Sequence, residues 1–278
     1  MGELDGQVAI ITGAARGQGR SHAVTLARAG ANIVACDIAG PVSTAPYAMA
    51  TIDDLHYTAE LVGKAGGRCL TVQADVRRLE QMQGVVGNAL AEFGKVDVLV
   101  ANAGIMTLAG LDEMTSEIWQ ETIDINLTGV ANSIRAVLPP MLQQQYGRIV
   151  ATASGAGRMG ERHLAHYCAS KWGVIGLVKS TAMEFAKRGI TCNAVSPSAV
   201  NTNLIHNDAC YAVFRPDLEA PTIDDVKEVF LSLNEMPVPW VEPEDVSEAV
   251  LFLVSPRARY ITGVAFDVAA GQNTRNSA

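Results

Sequence analysis

The chain has 278 residues, of which 49% are hydrophobic and 18% charged, and its formal net charge is −8. This acidic balance without a clustered basic surface argues against a nucleic-acid partner, and five scattered cysteines without a Cys-x-x-Cys pair argue against a disulfide framework or a zinc site. Apolar runs too short to cross a bilayer, with no secretory signal at the start, predict a cytoplasmic protein that acts on small molecules, without membrane or metal.

Short β-branched runs alternate with longer helical patterns along the chain. The predicted strands are residues 8–11, 31–37, 70–75, 96–102, 148–154, 191–197 and 264–268. Parallel strands need crossover connections of helical length, and near-continuous apolar strands suit a sheet that is covered on both faces. The pattern therefore predicts an α/β fold, a single Rossmann-type doubly wound parallel sheet of about seven strands with helices on both faces, formed as one domain by residues 1–278.

Two segments interrupt this alternation, and a third ends it. Residues 38–51 are rich in Ala, Pro, Gly and Ser and end at Thr51, a predicted helix N-cap. Residues 198–242 contain a predicted helix over 223–233 and otherwise resemble a lid or substrate lobe. Irregular connections at the carboxyl ends of strands are where such folds bind ligands, so both segments are expected to set specificity. The polar residues 272–278 are predicted to be a tail.

A glycine-rich turn lies between the first strand and a helix. Gly13, Arg16, Gly17, Gln18 and Gly19 make up this turn. Glycines let the backbone approach a pyrophosphate closely, and the free N–H groups and dipole of the helix N-terminus favour its negative charge. Because the turn opens a βαβ unit, it predicts a dinucleotide site.

The choice of dinucleotide depends on Asp37, which ends the second strand. A carboxylate at this place accepts hydrogen bonds from the adenosine ribose hydroxyls and repels a 2′-phosphate, which favours NAD(H). Arg16 permits the opposite interpretation, as a cation for that phosphate, although it also suits a solvated loop charge. NADPH therefore remains an alternative at this point.

Three polar residues carry the predicted chemistry. Tyr167 and Lys171 are four positions apart, so on a helix they share one face and the ammonium group can reach under the phenol ring. A free tyrosine has a pKa near ~10, and a nearby positive charge favours the phenolate that a catalytic base needs. Ser154, at the end of a strand, can hydrogen-bond the substrate oxygen beside the Tyr167 hydroxyl.

Together these motifs resemble the short-chain dehydrogenase/reductase family over nearly the whole chain. The glycine-rich turn matches the family's nucleotide pattern, Ser154 with Tyr167-x-x-x-Lys171 matches its active site, and Asn102-Ala103-Gly104 matches its Asn-Ala-Gly motif. Asn126 matches the helix asparagine. The resemblance implies hydride transfer with Asn126, Ser154, Tyr167 and Lys171 as catalytic residues, and it implies a homotetramer.

The resemblance also extends the cofactor site beyond the glycine-rich turn and Asp37. It implies that Asp75 and Val76 flank the adenine, that Asn102, Ala103 and Gly104 support the cofactor-side wall, and that Asn126 serves a water-linked proton relay to Lys171. The remaining implied cofactor contacts are Ile38, Pro197, Val200 and Thr202, besides Tyr167 and Lys171 themselves. Thr202 would bind the nicotinamide carboxamide. Ser198 departs from the family pattern, which has glycine there, so the path of this turn stays open.

The insertion at 38–51 resembles a narrower group related to carveol dehydrogenases, many of them coupled to the redox cofactor mycofactocin. That resemblance implies an insertion covering a tightly bound, non-exchangeable NAD(H), and an external mycofactocin-like redox partner. The alternative is an exposed, disordered loop.

The expected reaction is the interconversion of a secondary alcohol and its ketone. The lobe carries Leu204, Ile205, Tyr211, Phe214 and Phe230 without a basic clamp, which predicts a small apolar substrate, and with the subgroup resemblance a cyclic, terpenoid-like, carveol-like alcohol. His163 and His166 are expected to line or rim the pocket. Two alternatives stay open here: an NADPH-dependent ketone reductase, and a non-catalytic NAD(H)-binding sensor.

Overall fold

The computed structural model describes residues 2–275. Within this range one sheet contains seven strands, all paired in parallel. They are β1 Val8–Thr12, β2 Asn32–Asp37, β3 Cys69–Gln73, β4 Val98–Ala101, β5 Gly147–Thr152, β6 Ile190–Pro197 and β7 Ala265–Val268. Their order is β3-β2-β1-β4-β5-β6-β7, the doubly wound arrangement that the sequence predicts.

The sheet is buried on both faces because its strands alternate between two apolar cores. In β1, Val8 and Ile10 face one core, and Ala9 and Ile11 face the other. The predicted strands overlap the observed ones, with ends that differ by one or two residues. The prediction exceeds the observed strand most in β4, where residues 96–102 are predicted and the paired strand is Val98–Ala101.

Helices cover both faces of the sheet in the described range. They are α1 Gly17–Arg28, α2 Ile52–Lys64, α3 Leu79–Phe93, α4 Ser116–Ile123, α5 Gly129–Gln144, α6 Ala165–Phe185, α7 Asp208–Phe214, α8 Ile223–Leu233 and α9 Pro243–Val254. Apolar residues of α1, α2 and α9 belong to one core, and those of α3, α5 and α6 belong to the other. Among these helices, none is both long and apolar enough to span a membrane.

Hydrogen bonds join the carboxyl ends of the three central strands. The Thr12 hydroxyl, at the end of β1, accepts from the backbone N–H groups of Asn102 and Ala103, each at 3.0 Å. The Asn102 side chain donates to the Thr12 carbonyl at 3.1 Å and accepts from the Thr152 hydroxyl at the end of β5 at 3.2 Å. These bonds fix the relative positions of the loops that follow β1, β4 and β5.

The insertion ends where the sequence predicts. The Thr51 hydroxyl accepts from the Asp54 backbone N–H at 3.2 Å, and the Asp54 carboxylate accepts from the Thr51 N–H at 2.9 Å, which forms a capping box at the start of α2. In the lobe, α8 has the predicted bounds, whereas α7 was not predicted.

The predicted tail is wrong for its first part. Residues 272–275 form a short 3-10 helix that follows β7 in the chain. Gln272 contributes to the wall of the large cavity described below. Residues 276–278 lie outside the described part of the chain.

Replacing Ile149 with Ala tests the core. The side chain of Ile149 in β5 is fully buried, so truncation should lower the free energy of unfolding by about 2–5 kcal/mol. Leu111, which is 71% exposed, supplies the control: Leu111→Ala should change it by less than about 0.5 kcal/mol. Denaturant titration measures both, and equal effects would contradict this assignment of the core.

Candidate active site

A cavity of about 670 Å³ opens at the carboxyl edge of the sheet. It brings most of the predicted site residues together. Those on its wall are Gly13, Arg16, Gly17, Gln18, Asp37, Ile38, Asp75, Val76, Asn102, Ala103, Gly104, Ser154, Tyr167, Lys171, Pro197, Val200 and Thr202. The two predicted residues that do not reach the wall are Gly19 and Asn126, which lie behind it.

The turn after β1 has the geometry of an anion cradle. Gly13 and Gly17 have φ angles of +67° and +54°, which glycine adopts without strain. A Cβ on Gly19 would come within 2.0 Å of the Gly13 carbonyl oxygen, so only glycine lets α1 pack against the turn. No side chain caps the first turn of α1, so its N–H groups stay available to a phosphate. These features fit a dinucleotide.

Asp37 is positioned by the same turn. Its two carboxylate oxygens accept from the backbone N–H groups of Ala15 at 3.0 Å and Ala39 at 2.9 Å. Each oxygen can still accept another hydrogen bond from the cavity side. A vicinal pair of ribose hydroxyls fits this carboxylate, and a phosphate does not.

Tyr167 and Lys171 are neighbours on α6, as their spacing predicts. The Lys171 Nζ atom lies 5.5 Å from the centre of the Tyr167 ring and donates to the Thr152 carbonyl at 2.8 Å. Lys171 is only 3% exposed. Ser154 follows β5 and its hydroxyl accepts from the Ala156 N–H at 3.2 Å. The end of β5 therefore positions both the serine and the lysine.

Burial dominates the electrostatics of this group. It raises the pKa of Tyr167 well above its usual value, while a hydrogen bond with Ser154 opposes the shift. Burial also lowers the pKa of Lys171 to about 8. Low polarity disfavours the charged form of both groups, so any stabilisation of a phenolate has to come from nearby polar groups and positive charge.

Asn126 lies in a π-helical segment, Asp124–Thr128, between α4 and α5. Its amide donates to the Ile105 carbonyl and accepts from the Ile105 N–H, both at 2.9 Å. A Cβ on Gly104 would lie 3.3 Å from the Asn126 Oδ1 atom and 3.6 Å from Lys171 Nζ. Glycine at 104 therefore keeps the space between these two groups clear.

The turn after β6 accommodates Ser198, which stands where the family pattern has glycine. Ser198 is not among the residues with positive φ, so its backbone does not require glycine. Val200 bridges to Val241, and the Thr202 hydroxyl donates to the Val200 carbonyl at 3.3 Å. A Cβ on Gly17 would lie 3.3 Å from the Thr202 side chain, which places Thr202 beside the glycine-rich turn.

The insertion at 38–51 is anchored at its start by a carboxylate that the motif analysis missed. Glu121 on α4 accepts from the Thr44 hydroxyl and N–H at 2.7 and 2.9 Å, and from the Ser43 hydroxyl at 3.0 Å. Arg77 bonds Glu121 at 2.9 Å and Asp75 at 2.8 Å. These contacts link the insertion to the predicted adenine region.

The second half of the insertion closes onto the cavity. Arg16 donates to the Ala48 carbonyl at 2.5 Å, and its guanidinium lies 5.8 Å from the centre of the Tyr47 ring. The Tyr47 hydroxyl accepts from the Met106 N–H at 3.1 Å. The insertion is thus bound at several points, which does not agree with the alternative of an exposed, disordered loop.

Apolar residues of the lobe form part of the cavity wall. Leu204, Ile205, Phe214 and Phe230 belong to it, as expected from the lobe. Tyr211, the fifth residue predicted for this wall, is buried beside it, and its hydroxyl hydrogen-bonds His206 at 3.0 Å.

The prediction for the two histidines is half wrong. His163 reaches the cavity, but His166 is fully buried and bonds the Thr107 hydroxyl at 2.6 Å instead. His166 therefore does not belong to the cavity wall. Within residues 2–275, no group of His, Cys, Asp or Glu could hold a metal ion.

The lowered pKa of Lys171 predicts a pH dependence of stability. Between pH 8 and 10 an unfolded lysine binds a proton that the folded chain has released, so Lys171 contributes a rise in the free energy of unfolding with pH. The five cysteines, whose pKa values burial raises, contribute in the opposite direction, so the lysine effect is the difference between two proteins that share these cysteines. Lys171→Met should remove roughly 1 kcal/mol per pH unit of this rise. The raised pKa of Tyr167 acts only above this window. Denaturant titrations of both proteins measure the slopes, and parallel slopes would contradict the prediction.

Comparison with known proteins places these features in a family. A sequence profile described as short chain dehydrogenase matches residues 7–209. A (-)-trans-carveol dehydrogenase of Rhodococcus erythropolis is 44% identical over 98% of this chain and 99% of its own. The crystal structure of a carveol dehydrogenase from Mycobacterium avium in complex with NAD superposes with a TM-score of 0.97 at 44% identity, covering 99% of this chain and 100% of that one. A short chain dehydrogenase from Mycobacterium paratuberculosis bound to NAD superposes with a TM-score of 0.90 at 36% identity, covering 98% and 100%. The chain belongs to the short chain dehydrogenase family.

Proposed function

We propose that the protein is an NAD-dependent alcohol dehydrogenase that interconverts an apolar secondary alcohol and its ketone. One observation carries the proposal: a single cavity joins the glycine-rich turn and Asp37 to Ser154, Tyr167 and Lys171. The similar structures from M. avium and M. paratuberculosis, both with NAD, support the choice of cofactor.

In this proposal the residues share the proton chemistry. The glycine-rich turn and Asp37 would hold NAD(H), which when bound would supply the acceptor or donor of the hydride at the carbinol carbon. Ser154 holds the substrate oxygen, and the Tyr167 oxygen takes the hydroxyl proton in oxidation or gives it back in reduction. The Lys171 ammonium favours the phenolate of Tyr167. The Thr152 carbonyl accepts a hydrogen bond from this ammonium group and so keeps it near the Tyr167 ring. Asn126 fixes the Ile105 backbone beside the space that Gly104 keeps clear, where a water-linked relay to Lys171 would run.

The cofactor contacts follow from the same cavity. We assign the pyrophosphate to the glycine-rich turn, the ribose to Asp37 with Ile38 beside it, and the adenine to Asp75 and Val76. Asn102, Ala103 and Gly104 form the cofactor-side wall, and Pro197, Val200 and Thr202 hold the nicotinamide end. Arg16 is already bonded to Ala48, which supports a role in holding the insertion over the nucleotide and argues against a free cation for a 2′-phosphate.

We assign tight, non-exchangeable binding of NAD(H) to the insertion. Its anchors on Glu121, Arg16 and Met106 lie around the cofactor side of the cavity, so release would require breaking several of them. A retained cofactor must be reoxidised in place, which implies an external redox partner of the mycofactocin type.

The lobe at 198–242 is assigned to the substrate. Its apolar wall favours a cyclic, terpenoid-like alcohol, and the name of the R. erythropolis relative supports a carveol-like one. For the whole chain we propose one domain, a homotetramer and a cytoplasmic location. Exposed apolar side chains on α6, Trp172 and Met183, support self-association, and five unpaired cysteines support a reducing compartment.

Replacing Tyr167 with Phe tests the reaction. Loss of the phenol should lower kcat/KM for secondary alcohols by between about a hundredfold and ten-thousandfold while NAD still binds, because only the proton acceptor is removed. Tyr260→Phe, at an exposed position, should leave the rate unchanged. Steady-state assays with binding by fluorescence measure both. Unchanged turnover in Tyr167→Phe would contradict the assignment, and a wild type that binds NAD but oxidises no alcohol would favour a sensor.

Asp37 is tested by the cofactor preference. Asp37→Ala should reduce the ratio of kcat/KM for NAD over NADP about tenfold or more, because both the ribose acceptor and the charge that repels a 2′-phosphate are lost. Asp37→Asn, which keeps a hydrogen-bond acceptor, should fall between Asp37→Ala and wild type. An unchanged ratio would show that Asp37 does not select the cofactor, and a wild-type preference for NADP would favour the reductase alternative.

The anchor on Glu121 is tested by cofactor release. Glu121→Ala removes the contacts to Ser43, Thr44 and Arg77, so NAD should dissociate roughly tenfold faster or more. Glu92→Ala breaks a comparable arginine pair with Arg68 on the surface away from the cavity and should not change the rate. Displacement of bound NAD in a stopped-flow instrument measures the dissociation rate of each variant. Equal rates in Glu121→Ala and wild type would show that this anchor of the insertion does not help to retain NAD.

A further inference from the structure

One carboxylate on the cavity wall has no role in the proposed reaction. Glu161 lies in the turn before α6, and its side chain reaches the cavity. Within residues 2–275 that side chain has no ion pair or side-chain hydrogen bond. Partial desolvation in the cavity raises the pKa of Glu161, although the residue still exposes part of its surface to solvent. Its carboxylate oxygens can accept hydrogen bonds from a ligand in the cavity.

The charge of Glu161 opposes the catalytic base. After burial, which has the largest effect, the negative charge of Glu161 raises the pKa of Tyr167 further. A nearby carboxylate therefore disfavours the phenolate that the reaction needs. Activation of Tyr167 cannot explain a glutamate at this position, so a role in binding is the better explanation.

The backbone holds this turn in place. His163 has a φ angle of +62°, which is strained for a residue other than glycine, and its carbonyl accepts from the Ala109 N–H at 3.0 Å. The turn is therefore fixed against the loop that follows β4. The backbone that carries Glu161 is thus held beside the cavity.

We propose that Glu161 binds a second hydroxyl group of the substrate, so that the preferred substrate is a cyclic diol or hydroxyketone. This inference rests on the proposed function, because Ser154 and Tyr167 take the oxygen that reacts. The otherwise apolar lobe then packs against the ring between the two oxygens.

A neutral hydroxyl suits the wall better than a cationic amine. Arg162 is next to Glu161 and also reaches the cavity, so its positive charge would repel an ammonium group. A hydroxyl can donate to the Glu161 carboxylate without adding charge beside Arg162.

The test compares trans-1,4-cyclohexanediol with cyclohexanol, using NAD and an artificial electron acceptor. In the wild type, kcat/KM for the diol should exceed that for cyclohexanol by about tenfold or more, mainly through KM, as expected for a hydrogen bond to a charged group. Glu161→Leu should abolish the preference without lowering kcat/KM for cyclohexanol. Glu161→Gln, which keeps an acceptor and replaces Glu161→Leu if that variant does not fold, should retain part of it. Glu228→Leu, an exposed position on α8 outside the cavity, is the control.

Three results would overturn the inference: no preference for the diol in the wild type, an equal loss for both alcohols in Glu161→Leu, or a stronger preference for trans-4-aminocyclohexanol. A wild type that binds NAD and oxidises neither alcohol contradicts the proposed function instead. In that case the binding role of Glu161 is tested by the thermal unfolding midpoint of the NAD-bound protein with each alcohol. Stabilisation by the diol beyond cyclohexanol, lost in Glu161→Leu or Glu161→Gln, would support the subsite, and its absence would overturn it.

Discussion

The site depends on the hydrogen bonds that join the carboxyl ends of β1, β4 and β5. Asn102 and Thr12 connect the first two strands, and Thr152 connects the third. The glycine-rich turn follows β1 and Ser154 follows β5, so this junction sets the distance between the nucleotide cradle and the reacting groups. Thr152 also accepts from Lys171 through its carbonyl, which ties α6 to the same junction. A parallel sheet brings strand ends to one edge, and these side chains turn that edge into a site of defined dimensions.

Electrostatics and enclosure follow from the same packing. Burial disfavours the charged forms of both Tyr167 and Lys171, so the site needs a positive charge near the phenol at the moment of proton transfer. The insertion contributes to the enclosure, and its contacts with Glu121 and Met106 hold it against the cavity. Exclusion of water strengthens every charge interaction inside. The insertion, which is proposed to retain the cofactor, and the low polarity around Tyr167 are therefore parts of one arrangement.

Sequence predicts the fold well, and it predicts that Tyr167 and Lys171 lie together, because these signals are local. Alternation of apolar residues marks the strands, and the spacing of Tyr167 and Lys171 places both on one helix face. The resemblance supplies Asn126, which has no local pattern of its own. The contacts of the insertion were missed because Glu121 is distant in sequence from Thr44 and belongs to no motif. Gln272 was assigned to a tail for a related reason: its polar surroundings in the sequence do not show that the chain folds back to the cavity after β7.

Alcohol oxidation in this cavity is proposed to use an NAD that the protein retains. The most direct measurement is the reduced-nicotinamide absorbance after protein loaded with NAD, and freed of excess nucleotide, is mixed with a cyclic secondary alcohol. The loaded protein should give a single burst that approaches one reduced nicotinamide per chain and then stops, and an artificial electron acceptor should restart alcohol oxidation. No rise in absorbance from protein shown to contain NAD would contradict the account. Loss of the nucleotide during removal of the excess would contradict retention.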